Sequence, residues 1–346
     1  MSAKIKWGVI ASGGIARRRT IPEGIMRAEN ATLTAVYNPT QSTNAEVAAQ
    51  FNAKACKSIS QLLKSDVDAV YIASPPDVHL KQVNACAKAG KHVLCEKPLG
   101  LNVKQAEKMI AVCKEANVKF GTALMMRFHA QHQAALQLIK EGKLGKPVLG
   151  RTQLSFWYPP IPNAWRQDPK RGGGGALMDL AGHCIDLLEM FFGPARSVSC
   201  YTNNTIQNYA SEDSAVTTLM FQNGAMGMVD TFFCIPDEAS KNALELYGSL
   251  GAIHAKGTIG QGHAAEMIAT LKNAASGYNA QQDSSGHGEI KIDPTPVNTY
   301  RAEIEEFGKA ILENREPSCS GEIGLRSQKI LAACYKSAKT GKAVAV

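Results

Sequence analysis

Three groups of residues in this chain have types and spacings that could do chemistry. Glu96-Lys97-Pro98 follows the apolar run His92 to Cys95. Proline biases the residue before it away from helix, so Lys97 stands on a stiff extended segment. There its ammonium could polarise a hydroxyl or ketone oxygen, with Glu96 orienting it. Asp179 and His183 are four residues apart in an apolar helical pattern opened by Gly172-Gly173-Gly174-Gly175, which places them on one face, with Asp186 a further turn along. A histidine beside a carboxylate suits general acid–base work, because the neighbour orients the ring and supports its charge. Taken singly, the Glu-Lys pair also fits a surface ion pair, and His183 fits a satisfied core residue with Asp179 as a cap.

The third group is Gly8-Val9-Ile10-Ala11-Ser12-Gly13-Gly14-Ile15-Ala16, directly after the first strand pattern, with Ala11 where a dinucleotide fingerprint has its first glycine. Gly13 would let the backbone approach a pyrophosphate. The N–H groups of the helix start around Ser12, Gly14 and Ile15 would face its charge, and Ala16 would let helix and strand pack closely. A tight turn that binds nothing fits the same residues. The second strand ends at Val36-Tyr37-Asn38, about 20 to 25 residues on, where an acidic residue would accept a ribose hydroxyl. Asn38 can accept that hydroxyl but cannot neutralise a 2′-phosphate, and no Lys or Arg lies in residues 39–44. This favours NAD over NADP. The run Arg17-Arg18-Arg19 could reach a phosphate, although a solvated helix face explains it as well.

The elements that must position these groups follow a clear rhythm. Strand patterns at residues 5–10, 32–37, 69–74, 92–95 and 118–124 alternate with helical patterns at 15–27, 44–51, 78–89 and 103–116, the last with Asn102 as its N-cap. This predicts an α/β doubly wound parallel sheet over residues 1–122. From 123 to 346 the pattern changes. A helix at 128–141 precedes longer strands at 147–157, 197–202, 214–221, 225–233, 243–247 and 252–256, with Gln222-Asn223-Gly224 as hairpin punctuation. A helix at 176–192 stops at Gly193-Pro194, and amphipathic helices at 298–314 and 321–340 close the chain. The second domain is therefore predicted to be α+β with a mainly antiparallel sheet. Residues 258–288 predict no firm element.

With 346 residues, 45% apolar and 20% charged, the chain is long enough for about two packed domains and excludes collagen-like, coiled-coil and disordered classes. The net charge of +8 is spread along the sequence, so no nucleic-acid partner is expected. Nine cysteines without a Cys-x-x-Cys pair read as small buried hydrophobes. Without a signal-peptide pattern or an apolar stretch of membrane-spanning length, the expectation is a cytoplasmic protein with no membrane partner. His129 and His132, three apart with no third ligand at metal spacing, read as surface residues, and no metal is expected.

Gly8 to Ala16, Ser74-Pro75-Pro76-Asp77-Val78-His79, Glu96-Lys97-Pro98, Arg127-Phe128, Trp165-Arg166-Gln167-Asp168-Pro169 and the segment Gly172 to Asp186, taken in this order and spacing, resemble the glucose-fructose oxidoreductase / inositol dehydrogenase family. The resemblance spans nearly the whole chain. It implies a Rossmann domain, then an α+β domain whose large open sheet forms homodimers or homotetramers, and NAD(P)-dependent oxidation or reduction of sugars and cyclitols. It implies Lys97 as the catalytic lysine, Asp179 as its supporting aspartate and His183 as the general acid/base. Cofactor contacts are expected from Ser12, Gly13, Gly14, Ile15, Asn38, Ser74, Pro75, His79, Glu96, Lys97 and Arg166, with His79 as a helix cap near the cofactor. Substrate contacts are expected from Lys97, Arg127, Trp165, Asp179 and His183. Met125-Met126 replaces more polar residues of the family and points to a partly apolar pocket. The stretch Phe156 to Pro162 fits either a wall that stacks on a sugar ring or a surface loop. Two alternatives stay open: a glycosidase or isomerase that cycles a retained NAD internally, and a nucleotide or sugar sensor without catalysis.

Overall fold

The computed structural model describes residues 3–263, 265–272, 278, 280–281 and 288–346. Short β-branched runs form the first sheet: β1 (Ile5–Ile10), β2 (Ala31–Tyr37), β3 (Lys54–Ala55), β4 (Ala69–Ile72), β5 (His92–Glu96) and β6 (Phe120–Ala123). They pair in parallel in the order β3-β2-β1-β4-β5-β6, the doubly wound arrangement in which ligands bind outside the carboxyl ends of the strands. The crossovers are a π-wound helix (Ala16–Ile25) and helices α1 (Gln41–Gln50), α2 (Ile59–Leu63), α3 (His79–Lys88) and α4 (Val103–Glu115). The first is wider than the α-helix predicted for 15–27. Pro22 lies inside it and has no N–H to donate to the preceding turn. Asn102 caps α4 as expected, its side chain accepting the Gln105 N–H. The strand β3 and helix α2, with Ser58 as its cap, carry too few residues to register as a pattern.

Helices α5 (Ala130–Lys140), α6 (Pro169–Gly172) and α7 (Gly182–Phe192) follow, the last continuing from a π-turn (Leu177–Ala181). Strands β7 (Pro147–Ser155), β8 (Ala195–Asn203), β9 (Ser214–Phe221), β10 (Met226–Phe232), β11 (Ala243–Gly248), β12 (Gly251–Lys256), β13 (Glu266–Leu271), β14 (Glu289–Lys291) and β15 (Val344–Ala345) form a second sheet. Its order is β14-β13-β12-β11-β7-β10-β9-β8-β15, antiparallel except where β10 runs parallel to β7. Helix α7 lies on one face of this sheet, where Gly150 gives room to Leu188 and Phe192. Helices α8 (Thr299–Leu312) and α9 (Gly321–Thr340) end the chain.

The chain forms two compact units, and they are not two successive segments. Residues 168–173 and 298–329 count with 1–125, and the remainder forms the second unit. The division expected near residue 122 thus omits α8, which the first unit recruits for its core. Phe307 packs 5.7 Å from the ring of Trp7 and fills the space left by Gly121, while Gly24 lets the π-wound helix approach the backbone of Tyr300. Eight cysteines are buried and Cys234 is half-buried; burial pushes the Cys86 and Cys113 thiols up to about 12. Among the described residues no helix is long and apolar enough to cross a membrane.

His129 and His132 correct the sequence reading, since both are buried and neither is a surface residue. His132 is held by the Met126 carbonyl at 2.9 Å, stacks 4.8 Å from His129 and meets the edge of Phe191. Each ring can face the core because it finds a polar or ring partner there, which helical spacing does not reveal. Burial lowers the pKa of His132 to about 3, with His129 adding to the effect. The unfolded chain takes up that proton near pH 6.5 while the folded protein refuses it. Stability is therefore full above pH 6.5 and falls with decreasing pH, by up to about 1.4 kcal/mol per unit for this ring. Urea denaturation at pH 7.5 and 5 is expected to show that loss, and His132→Gln is expected to reduce it, the part that remains coming from His129, which burial lowers to about 4; the same slope in the variant would contradict the assignment.

Candidate active site

In the first unit, the turn after β1 carries the strain of a missing glycine. Ala11 has φ 61°, a left-handed conformation that a side chain disfavours. Gly14 has φ 51° and nothing within 4 Å of where a side chain would begin, so the start of the π-wound helix is open toward a ligand. Gly13 serves a different purpose, as a Cβ there would stand 2.8 Å from Asn38 Nδ2. The buried Ser12 hydroxyl has no protein partner. An open turn at a helix N-terminus with an unsatisfied hydroxyl beside it fits the pyrophosphate of a dinucleotide. Asn38 Oδ1, expected to accept a ribose hydroxyl, accepts the Thr40 N–H at 3.1 Å and closes a local turn instead. The amide nitrogen is the end of Asn38 that faces the loop.

Lys97 follows β5 and is joined to Pro98 by a cis peptide bond. Glu96 accepts the Lys97 main-chain N–H at 3.2 Å through Oε2 and the Tyr71 hydroxyl at 2.6 Å through Oε1. Burial, followed by the Glu96 charge, holds the Tyr71 phenol far above its ordinary pKa, so it stays a donor. Tyr71 escapes a sequence reading because within Ala69–Ile72 it looks like one more strand residue. The expectation that His79 caps α3 is corrected: the cap position is Val78, which makes no side-chain bond. The buried His79 ring lies between two carbonyls, Ser74 O at 2.7 Å from Nε2 and Leu99 O at 3.0 Å from Nδ1. It thereby ties the Ser74-Pro75 turn to the segment beyond Lys97. The Ser74 hydroxyl donates to Gln82 at 2.6 Å, and Arg171 pairs with Asp77 at 3.7 Å.

In the second unit, Asp179 lies on the π-turn and His183 and Asp186 on α7. Both aspartates are buried. Asp179 Oδ2 accepts Arg166 Nε at 2.8 Å, and Arg166 lies 4.2 Å over the Trp165 ring. Arg127 meets Asp186 in a fork, with Nε and Nη2 each 2.7 Å from a carboxylate oxygen. Burial drives the Asp186 carboxyl upward and the Arg127 guanidinium opposes it. The two arginines expected at ligands are thus each bound to a carboxylate of the helix that carries His183. The role of Asp186 was not drawn from the sequence, although its place one turn beyond His183 was visible. In the stretch Phe156 to Pro162, Phe156 and Tyr158 pack 5.1 and 5.0 Å from Phe233, while Trp157 alternates outward and is 42% exposed. Among the described residues no group of three could hold a metal ion.

Residues 5–124 match the profile described as an oxidoreductase family with an NAD-binding Rossmann fold, and residues 132–254 match the GFO/IDH/MocA C-terminal domain. A 1,5-anhydro-D-fructose reductase of Ensifer adhaerens is 29% identical over 99% of this chain and 98% of its own length. A myo-inositol 2-dehydrogenase of Thermotoga maritima is 28% identical over 84% of each. In fold, the chain is similar to an aldose-aldose oxidoreductase from Caulobacter crescentus complexed with glycerol, with a TM-score of 0.88 at 24% identity, covering 99% of this chain and 100% of that one. A levoglucosan dehydrogenase complexed with NADH and levoglucosan gives 0.85 at 23% identity, covering 99% of both chains.

Asp186 is buried and its partner Arg127 half-buried, so removing one partner strands a charge with little access to water. Asp186→Ala is expected to cost about 3–5 kcal/mol in urea denaturation, and Arg127→Met with Asp186→Leu to recover most of it. A single variant as stable as the parent would show that the pair is not desolvated.

Proposed function

The chain belongs to the GFO/IDH/MocA oxidoreductases, and we propose that it is an NAD-dependent dehydrogenase or reductase acting on a hydroxyl or ketone carbon of a sugar or cyclitol. The observation that carries this reading is the pairing of both aspartates of the His183 helix with arginines. With Asp179 and Asp186 each paired to an arginine, His183 is the side chain of that turn whose type exchanges a proton near neutral pH. In the oxidative direction His183 removes the hydroxyl proton, Lys97 steadies the oxyanion that forms, and Asp179 supports the charge gained by His183. The reverse direction uses the same groups with the proton returned. A bound nicotinamide supplies the hydride acceptor or donor at its C4. Ser12, Gly13, Gly14 and Ile15 would hold the pyrophosphate, and Ser74, Pro75, His79 and Glu96 would shape the edge of the sheet beside it. Preference for NAD is supported by the absence of Lys and Arg from residues 39–44 and by the engagement of Arg17 with Glu46 and Gln50.

The test is the absorbance of reduced nicotinamide while the protein, with NAD and separately with NADP, is offered aldoses, inositols and keto-sugars. A rise with NAD and one substrate class is expected. Lys97→Ala and His183→Ala are each expected to lower turnover by about 10²–10⁴-fold with the NAD dissociation constant unchanged. Wild-type rates in either variant would overturn the roles, and glycoside conversion without accumulated reduced cofactor would favour the internal redox cycle.

The second sheet also supports self-association, as inferred for its open face. Tyr201 on β8 and Met226 and Met228 on β10 point to the same side and are exposed, Tyr201 by 77%. Apolar side chains clustered on one sheet face mark contact surfaces. Light scattering is expected to give a dimer or tetramer, and Tyr201→Asp with Met228→Glu a smaller species; an unchanged mass would place the contact elsewhere.

A further inference from the structure

The helix that carries His183 has no cap of its own. Ala176, which precedes the π-turn, makes no side-chain bond, and the first N–H groups of a helix need acceptors. They find them in Glu212, the second residue before β9. A single carboxylate oxygen, Glu212 Oε1, accepts from Gly175 N at 2.7 Å, from Leu177 N at 3.1 Å and from the Tyr335 hydroxyl at 2.8 Å. The Glu212 main-chain carbonyl accepts Ala176 N at 3.0 Å. An anion is thus seated where the helix start favours one. The glycine run has a matching geometry: a Cβ on Gly174 would stand 1.7 Å from Tyr335 Oη, and one on Gly175 would stand 2.0 Å from Glu212 O. These two glycines let a phenol and a carbonyl reach the helix end. Burial raises the pKa of the Tyr335 phenol well above its ordinary value, so it stays a donor. Burial also raises that of the Glu212 carboxyl, opposed by the bonds from Tyr335, Gly175 and Leu177.

We propose that Glu212 and Tyr335 are positioning residues for the hydride-transfer reaction, anchoring through the glycine run the π-turn and helix that present Asp179 and His183. The inference rests on the function proposed above. Neither residue carries a proton in the reaction; they act by fixing the start of the turn, and a displacement of about 1 Å in a reacting group can cost on the order of a hundredfold in rate.

Tyr335→Phe removes one of three bonds and keeps the ring. It is expected to lower kcat about tenfold, to leave the NAD dissociation constant unchanged, and to speed hydrogen exchange at the amides of residues 175–179. Glu212→Gln keeps an acceptor oxygen and is expected to stay within about threefold of the parent, whereas Glu212→Ala is expected to lose about a hundredfold in kcat. Tyr335→Phe added to Glu212→Ala is expected to cost nothing more, because the two act as one unit. Parental kcat in both Tyr335→Phe and Glu212→Ala would overturn the proposal, as would losses that weaken NAD binding in the same proportion as kcat. If the parent protein shows no redox turnover, the functional reading fails by itself, and amide exchange in Tyr335→Phe still decides the anchor: unchanged exchange rejects it.

Discussion

Two carboxylates flanking a histidine on a buried helix can exist only if each is neutralised in place. Unpaired, either aspartate would be protonated or would expel its helix from the core. Arg127 and Arg166 meet this demand, and the surroundings of the helix follow from it. The Trp165-Arg166 turn has to come back onto the π-turn, and Arg127 has to leave its own short turn directed at Asp186. The forked geometry of Arg127 fixes direction as well as charge, because two parallel N–H bonds tolerate little rotation. The histidine between these pairs stands in a field set by two arginine–carboxylate pairs.

The first unit solves a different problem. A parallel sheet must be covered on both faces, and the crossover helices of residues 1–125 are supplemented by α8, far away in sequence. Phe307 against Trp7 and Gly121, and Tyr300 against Gly24, complete that cover. The carboxyl ends of β1, β4 and β5 then hold the Ala11–Gly14 turn, the Ser74 turn and Lys97 at one edge. His79 contributes rigidity there by spanning two of these segments with one ring.

Much of this was legible in the sequence, for identifiable reasons. The strand rhythm, the Asn102 cap and the hairpin at Asn223 arise from interactions within a few residues, so local pattern suffices. The family and the class of its chemistry were legible because Lys97, Asp179 and His183 sit in motifs whose order spans the chain. What was not legible depends on partners distant in sequence. His132 looks like a surface residue until Met126 and Phe191 are seen around it, and Tyr71 looks like strand filler until its hydroxyl is seen donating to Glu96. The recruitment of α8 into the first unit rests on a tryptophan 300 residues away from its phenylalanine. The four glycines were read as a helix start, whereas their spacing to Glu212 and Tyr335 exists only in three dimensions.

The thiols carry a practical consequence. Burial raises the pKa of Cys86, Cys95 and Cys113 and leaves them almost no thiolate for an electrophile, and eight of the nine cysteines in all are enclosed. Those cysteines lie in both units, from Cys56 near the end of the first sheet to Cys334 in the last helix. The protein therefore holds a set of silent labels distributed through its interior. Each becomes modifiable only when its own surroundings open, so the order in which they are alkylated would chart how the structure comes apart without any probe having to be introduced.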